Sequence, residues 1–326
     1  MSTVLDTEQN ADVRSGDAYQ GLIARLSQQS VVKHFDAYAD VAWDDPEMQI
    51  DPEDPRWEHS ADDPLGGTSW YQSQPQGVRA RIGLHGIVGN MKTGLQFESV
   101  LKRGLLEYAA NLPNGAAEFR YAYHEVIEEA HHSLMFQEFV NRSGIDPPGM
   151  PKLMQIGSRG VVKLGRRFPE LFFLFVLGGE DPIDYVQRQE LRSGHDIHPL
   201  LERIMRIHVT EEARHLSFAR HYLKRQVPEL GWFKRRMLAL RVPFILGAMA
   251  GQMLRPSKDI VKTYDIPKSV LKEAYDRNPA ARQYVRDSLR KVRQLCVELG
   301  IVTPVSKQLW RAFGIWEAPT PAASPS

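Results

Sequence analysis

From residue 78 onward, apolar positions recur three and four residues apart, and no period-two alternation with hairpin turns interrupts them. The pattern predicts helices over roughly 78–110, 115–143, 150–164, 168–191, 197–226, 230–254, 268–275 and 279–298. Breaks fall at Leu112-Pro113-Asn114-Gly115, from Ser143-Gly144 through Pro147-Pro148-Gly149, at Ser193-Gly194 and at Val227-Pro228. Upstream, residues 18–39 carry a weaker helical period. Residues 44–67 hold four prolines and predict an irregular strap packed by Trp43, Trp57 and Trp70. Residues 1–17 and 317–326 have the composition of disordered ends, leaving one all-α domain over 18–316.

One helix violates its own pattern. In 201–224, LERIMRIHVTEEARHLSFARHYLK, the side chains of His208, Glu212 and His215 share a face with Leu201, Met205, Val209, Leu216, Ala219 and Leu223. The opposite face carries Arg203, Arg206, Arg214, His221 and Lys224, so the helix has an adequate polar side. Burying three ionisable groups is costly unless something pairs with them. A metal ion is the simplest partner, because it takes carboxylates and neutral imidazoles.

Partner ligands decide whether that reading stands. Residues 115–143 hold a second Glu-x-x-His in two registers, Glu129/His132 and Glu128/His131, the latter extended by His124. The Glu129 face includes Ala122, Val126, Phe136 and Val140, whereas the His124/His131 face also carries Arg120, Glu138 and Arg142. Helix phase therefore selects Glu129 and His132 as buried ligands, with Glu128, His124 and His131 flanking. Glu125, on the Glu129 face, is a candidate orienting carboxylate. A carboxylate-bridged di-metal bundle also needs a lone Glu from each of two further helices. Glu98 supplies one, standing alone on the face of Ile87, Met91, Leu95, Leu101, Leu105 and Ala109. Glu180 supplies the other: it continues the apolar run Phe172–Leu177 more directly than its competitors Asp181 and Asp184. The spacings agree: 31 residues separate Glu98 from Glu129 and 32 separate Glu180 from Glu212, while the two halves repeat at 82 and 83. His208 adds a third histidine one turn before Glu212, expected at the Glu180/His215 position.

Charge and composition narrow the class. The 326 residues carry a net charge of +1, which argues against a dedicated nucleic-acid binder. The first 65 residues hold 15 acidic and 4 basic side chains, predicting an acidic arm over a basic body. The single cysteine, Cys296, rules out both a disulfide framework and a thiolate metal site, and fits a cytoplasmic protein. The apolar run Leu171–Leu177 is too short to span a bilayer, and Met237–Leu254 contains Arg241 and Pro243, so no membrane span is expected. Mixed carboxylate and imidazole donors suit iron or manganese rather than magnesium or calcium.

With these residues in place the chain resembles the di-iron oxygenases of the para-aminobenzoate N-oxygenase (AurF) family. The resemblance rests on Gln96-Phe97-Glu98, Glu128-Glu129-Ala130-His131-His132-Ser133-Leu134-Met135-Phe136, Glu180, and His208-x-x-x-Glu212-x-x-His215. Lys33-His34-Phe35-Asp36-Ala37-Tyr38 with Trp43-Asp44 also looks like that family, so the likeness covers about 30–225. It implies a ferritin-like four-helix-bundle core with peripheral helices and an irregular N-terminal arm. It implies Glu98, Glu129, His132, Glu180, His208, Glu212 and His215 as the seven ligands. It further implies O2 activation as a peroxo di-iron(III) species and oxidation of an aryl amine through the hydroxylamine towards the nitro compound. An external electron donor, a small aromatic or apolar substrate and a homodimer are expected. Carbon oxidation on the same site is the alternative. Iron oxidation and a ribonucleotide-reductase-type radical site, the latter needing Tyr123 or Tyr222 near a metal, are weaker ones. An aryl carboxylate would need a cation; Lys92 lies nearly 120° from Glu98 in helical phase, which leaves Arg236, Arg241 or Arg255.

Overall fold

A computed structural model describes residues 16–318. Thirteen α-helices and no strands occur among the described residues, so the chain is all-α, consistent with a ferritin-like bundle. They are α1 (Gly16–Val32), α2 (Ser69–Gln72), α3 (Gln76–Ala109), α4 (Ala117–Ser143), α5 (Lys152–Arg167), α6 (Pro169–Glu190), α7 (Pro199–Gln226), α8 (Trp232–Met253), α9 (Lys258–Thr263), α10 (Lys268–Leu271), α11 (Pro279–Ser288), α12 (Arg290–Glu298) and α13 (Pro304–Ala312). The expected disordered ends lie largely outside the described residues. At their inner edges Gly16 already begins α1, and Glu317 Oε2 lies 3.2 Å from Arg293 Nη2.

The boundaries follow local chemistry. Gly144 ends α4 in the left-handed region at φ 68°, where a residue without Cβ is favoured. Proline opens α6 and α7, where its missing N–H costs nothing. The weak helix expected over 18–39 stops at Val32. Beyond it, Asp36 accepts the N–H groups of Tyr38 and Ala39 at 2.8 and 2.9 Å, a local turn that competes with helix. The predicted 279–298 helix is divided at Leu289, and α13, which periodicity does not predict, is started by a Thr303/Ser306 capping box.

Helices α3, α4, α6 and α7 form the bundle, and its interior is layered. One apolar cluster comprises Leu101, Leu105, Tyr121, Phe172, Phe173, Phe218 and their neighbours. A second comprises Leu84, Val88, Met135, Phe139, Leu200 and Ile204. Charged residues of all four helices occupy the layer between. The strap holds to the second cluster through buried Trp43 and Trp57, while Trp70 packs on a third, peripheral cluster. Trp57 stacks on His198 at 4.2 Å, and its carbonyl fills the space where Gly83 lacks a Cβ. No helix among the described residues is long and apolar enough to cross a membrane.

Candidate metal centre

The inter-cluster layer brings all seven sequence-predicted side chains together, each 4% exposed or less. Three overlapping groups have donor atoms within 4.8 Å of one another: Glu98, His132 and His208; Glu129, Glu212 and His215; Glu180, His208 and Glu212. His208 thus stands beside Glu98 and His132 as well as beside Glu180, rather than on one side only.

The donor atoms face inward in a way hydrogen bonding does not explain. Glu98 Oε1, Glu129 Oε2, Glu212 Oε2 and His132 Nδ1 are buried without a hydrogen-bond partner. His132 Nδ1 lies 3.6 Å from Glu129 Oε2, 3.7 Å from Glu212 Oε1 and 3.9 Å from Glu98 Oε1. His215 Nδ1 lies 3.2 Å from Glu129 Oε1 and 2.9 Å from Glu212 Oε1. Donors on one first-row ion, with bonds of about 2.1 Å, lie about 3 Å apart when adjacent and about 4.2 Å apart when opposite. The observed separations fall in or close to that range. Glu129 turns one oxygen to each histidine, the placement a bridging carboxylate needs.

Electrostatics point the same way. Burial pushes Glu98 up to about 8, with Glu129 adding to the rise, and it pushes Glu180 well up and Glu212 up. For Glu129 burial is outweighed by His132 and His215, which hold it well below the usual range. His132, His215 and Lys102 offset part of the charge of these four buried carboxylates, and a pair of metal ions would supply the remainder. The residues present therefore fit a pair of metal ions.

The outer nitrogen of each histidine is fixed by a residue that periodicity did not select. His132 Nε2 lies 2.9 Å from Glu211 Oε2, and His215 Nε2 lies 2.8 Å from Glu128 Oε2. Each carboxylate sits just before the inward-facing Glu of the opposite helix, Glu212 or Glu129, so the support is reciprocal. Arg214 Nη2 lies 2.9 Å from Glu128 Oε1 and 3.5 Å from Glu211 Oε1. Sequence phase puts Arg214 on the watery side of α7; it is buried, because α1 and α4 cover that side. Glu128 is likewise buried, so it flanks the site as expected but not towards water. His208 Nδ1 lies 2.9 Å from Gln187 Oε1, an acceptor, which leaves Nε2 as an inward lone pair. Burial, reinforced by His132, lowers the His208 pKa well below its ordinary value and keeps it neutral. Ser133 donates to Glu98 Oε2 at 2.8 Å and accepts from Lys102, which also donates to the Glu129 carbonyl at 2.9 Å.

The remaining candidates fall outside the donor ring. His131 Nδ1 accepts the Ala37 N–H at 3.2 Å, and His124 Nε2 accepts from Arg120 Nε at 3.3 Å. Asp181 pairs with Arg220 and Asp184 with Arg188, so neither competes with Glu180. Glu125 is buried with Oε2 unpartnered and hydrogen-bonds none of the clustered histidines; burial raises it to about 8. Tyr123 is exposed and Tyr222 lies in the aromatic cluster with Phe173 and Phe218. No sequence-proposed anchor reaches the ring: Lys92 bonds Gln137, Arg236 lies over Trp232, Arg255 pairs with Asp276, and Arg241 lines an outer groove.

A cationic recess of about 430 Å³ flanks the outer face of α7, lined by Lys33, Arg188, Arg192, Arg203 and Arg206 around Phe35. The Phe35 N–H donates to Glu211 Oε1 at 3.1 Å, so one carboxylate separates the recess from His132.

The family described as P-aminobenzoate N-oxygenase AurF matches residues 16–300. The chain belongs to the AurF family. AurF proteins are di-iron oxygenases, and this chain carries the buried Glu/His clusters such a family needs. The chain is also similar to the uncharacterized proteins MT0908 and Rv0885 of Mycobacterium tuberculosis and Mb0909 of Mycobacterium bovis. Each is 40% identical over 302 residues, covering 93% of this chain and 89% of the relative. No solved structure matches.

Proposed function

We propose that this AurF-family protein is a di-iron N-oxygenase whose two irons are held by Glu98, Glu129, His132, Glu180, His208, Glu212 and His215. The observation carrying this reading is the set of buried, partnerless donor atoms facing one another across the bundle: Glu98 Oε1, Glu129 Oε2, Glu212 Oε2 and His132 Nδ1. When bound, the irons supply the redox chemistry that activates O2.

The protein's own residues supply the rest. Glu128 and Glu211 hold the outer nitrogens of His215 and His132, so each Nδ1 is presented inward. Gln187 does the same for His208 through its other nitrogen. Ser133, backed by Lys102, fixes Glu98. Phe97, Phe136 and Phe175 contribute apolar walls that exclude water. The overall step is Ar–NH2 + O2 + 2e⁻ + 2H⁺ → Ar–NHOH + H2O, with further oxidation leading towards the nitro compound. Its electrons come from an external donor. A homodimer remains part of this reading.

None of the cations considered as a carboxylate anchor reaches the donor ring, which favours an uncharged, apolar substrate. The same observation keeps carbon hydroxylation as a second reading. Iron analysis and single-turnover oxidation separate them. The expected result is two irons per chain, with O2 added to the reduced protein giving an aryl hydroxylamine from an uncharged aryl amine. Absence of bound iron would overturn the site. Oxidation at carbon, with every amine left intact, would overturn the N-oxygenase reading alone.

A further inference from the structure

Helices α5, α8 and α13 form an outer face unlike the rest of the surface. Residues 152–167, 232–253 and 304–312 contain eleven lysines and arginines and no aspartate or glutamate. None of the eleven pairs with a carboxylate among the described residues. Soluble surfaces normally intersperse both signs. Large apolar side chains stand out among these cations: Leu153 is 80% exposed, Ile156 63%, Trp232 73%, Phe233 67% and Phe244 62%. Between α5 and α8 runs an open apolar groove of about 630 Å³, bounded by Val161, Leu164, Leu240, Phe244, Ile245 and Phe313.

We infer that this face docks on an anionic lipid bilayer. Basic helices presenting Trp, Phe and Leu or Ile beside Lys and Arg settle in the headgroup region, with the apolar groups inserted and the cations on lipid phosphates. Charge complementarity excludes the nearest alternatives. A two-fold pairing of this face with a second copy would set eleven cations against the same eleven. The chain's acidic N-terminal arm is engaged elsewhere: Glu53, Glu58, Asp40 and Asp44 pair with Arg81, Arg79, Arg203 and Arg142 on α3, α4 and α7. An acidic protein partner would satisfy the cations but leave five bulky apolar side chains to find pockets, whereas a bilayer takes both. Attachment is peripheral, in keeping with the lack of a spanning helix among the described residues. The groove also approaches the metal layer. Ile245, on its wall, closes with Leu246 and Met249 over Gly178, two residues before Glu180.

Vesicle co-sedimentation tests this. The purified iron-loaded protein is mixed with phosphatidylcholine vesicles with or without about 30 mol% phosphatidylglycerol, at about 0.1 and 0.5 M NaCl. Binding is expected to the anionic vesicles only, with release at the higher salt. Tryptophan emission should shift to the blue on binding, an effect that Trp232→Phe diminishes. The triple variant Lys163→Glu, Arg166→Glu, Arg236→Glu should bind on the order of 100-fold more weakly. Phe244→Ser should also weaken binding. All five positions are exposed, and unchanged helix content and iron content would show the variants folded. The inference fails if the protein does not sediment with anionic vesicles at low salt, or if the triple variant binds as well as the parent. It fails equally if, without vesicle binding, Phe244→Ser dissolves a homodimer or releases an acidic protein partner.

Discussion

Glu211 Oε2 lies 2.9 Å from His132 Nε2, joining the two Glu-x-x-His helices across the bundle. Glu128 and His215 make the mirror-image contact at 2.8 Å. Each of these two proposed ligand histidines is therefore aimed by the helix that carries the other one. Arg214, between both carboxylates, ties the two contacts together.

Loss of either carboxylate should loosen the histidine it holds. Glu211→Ala and Glu128→Ala are each expected to lower iron affinity about 10- to 100-fold. Glu129→Ala, which removes a proposed ligand, should abolish occupancy of at least one position. Competition with a chelator of known affinity ranks the three. Equal losses in Glu128→Ala and Glu129→Ala would mean that Glu128 is itself a ligand.

Arg214→Met leaves Glu128 and Glu211 buried without their shared cation. Breaking a buried pair from one side costs about 3–5 kcal/mol. Denaturant unfolding should show a loss of that order, and adding Glu211→Gln to the variant should recover part of it. A neutral outcome for Arg214→Met would contradict its role as shared counter-ion.

Glu128 makes acid stability measurable. Burial opposes its ionisation, but hydrogen bonding to His215 and the charges of His215 and Arg214 win, lowering its pKa from 4.5 to about 2. Its ionised form therefore stabilises the fold above about pH 4.5, and that contribution disappears as pH falls towards about 2. Between those values the melting temperature of metal-free protein should fall more steeply than that of Glu128→Gln. Parallel curves would show that Glu128 does not carry this linkage.

Gly179→Ala should disturb the site through packing alone. A Cβ there would lie 2.0 Å from the Phe97 ring, and Phe97 adjoins Glu98. Overpacking of this kind costs about 1–3 kcal/mol. The displaced ring should also reduce bound iron, and Phe97→Leu in the same chain should restore much of it. Calorimetry together with iron analysis reads both effects.

His208→Ala should leave the fold and much of the metal in place, since His132, His215 and the four carboxylates remain. Turnover is expected to fall about 10- to 100-fold, and Gln187→Leu should reproduce a weaker version. Wild-type turnover in both variants would remove His208 from the ligand set.

The helices were legible from sequence because α3, α4, α6 and α7 are long and strongly periodic, and Pro, Gly and Asn mark their ends. Charge on an apolar stripe exposed Glu98, Glu129, His132, Glu180, His208, Glu212 and His215, since burial without a partner is too costly to be accidental. Gln187 had a weaker signal: it stands two turns after Glu180 on the same face. Glu211 and Glu128 had one as well, the doublet repeated in Glu128-Glu129-Ala130-His131-His132 and Glu211-Glu212-Ala213-Arg214-His215. For Glu128 helical phase argues against that signal, because a residue 100° from the Glu129 face looks solvent-facing on an isolated helix. Tertiary packing decided otherwise. With α1 and α4 against α7, the side bearing Glu211 and Arg214 became interior, and those charges could persist there only by pairing with Glu128 and the histidines. Sequence periodicity determined which groups needed a partner, and the packing of the helices chose the partners, because distances between helices are set by side chains far apart in the chain.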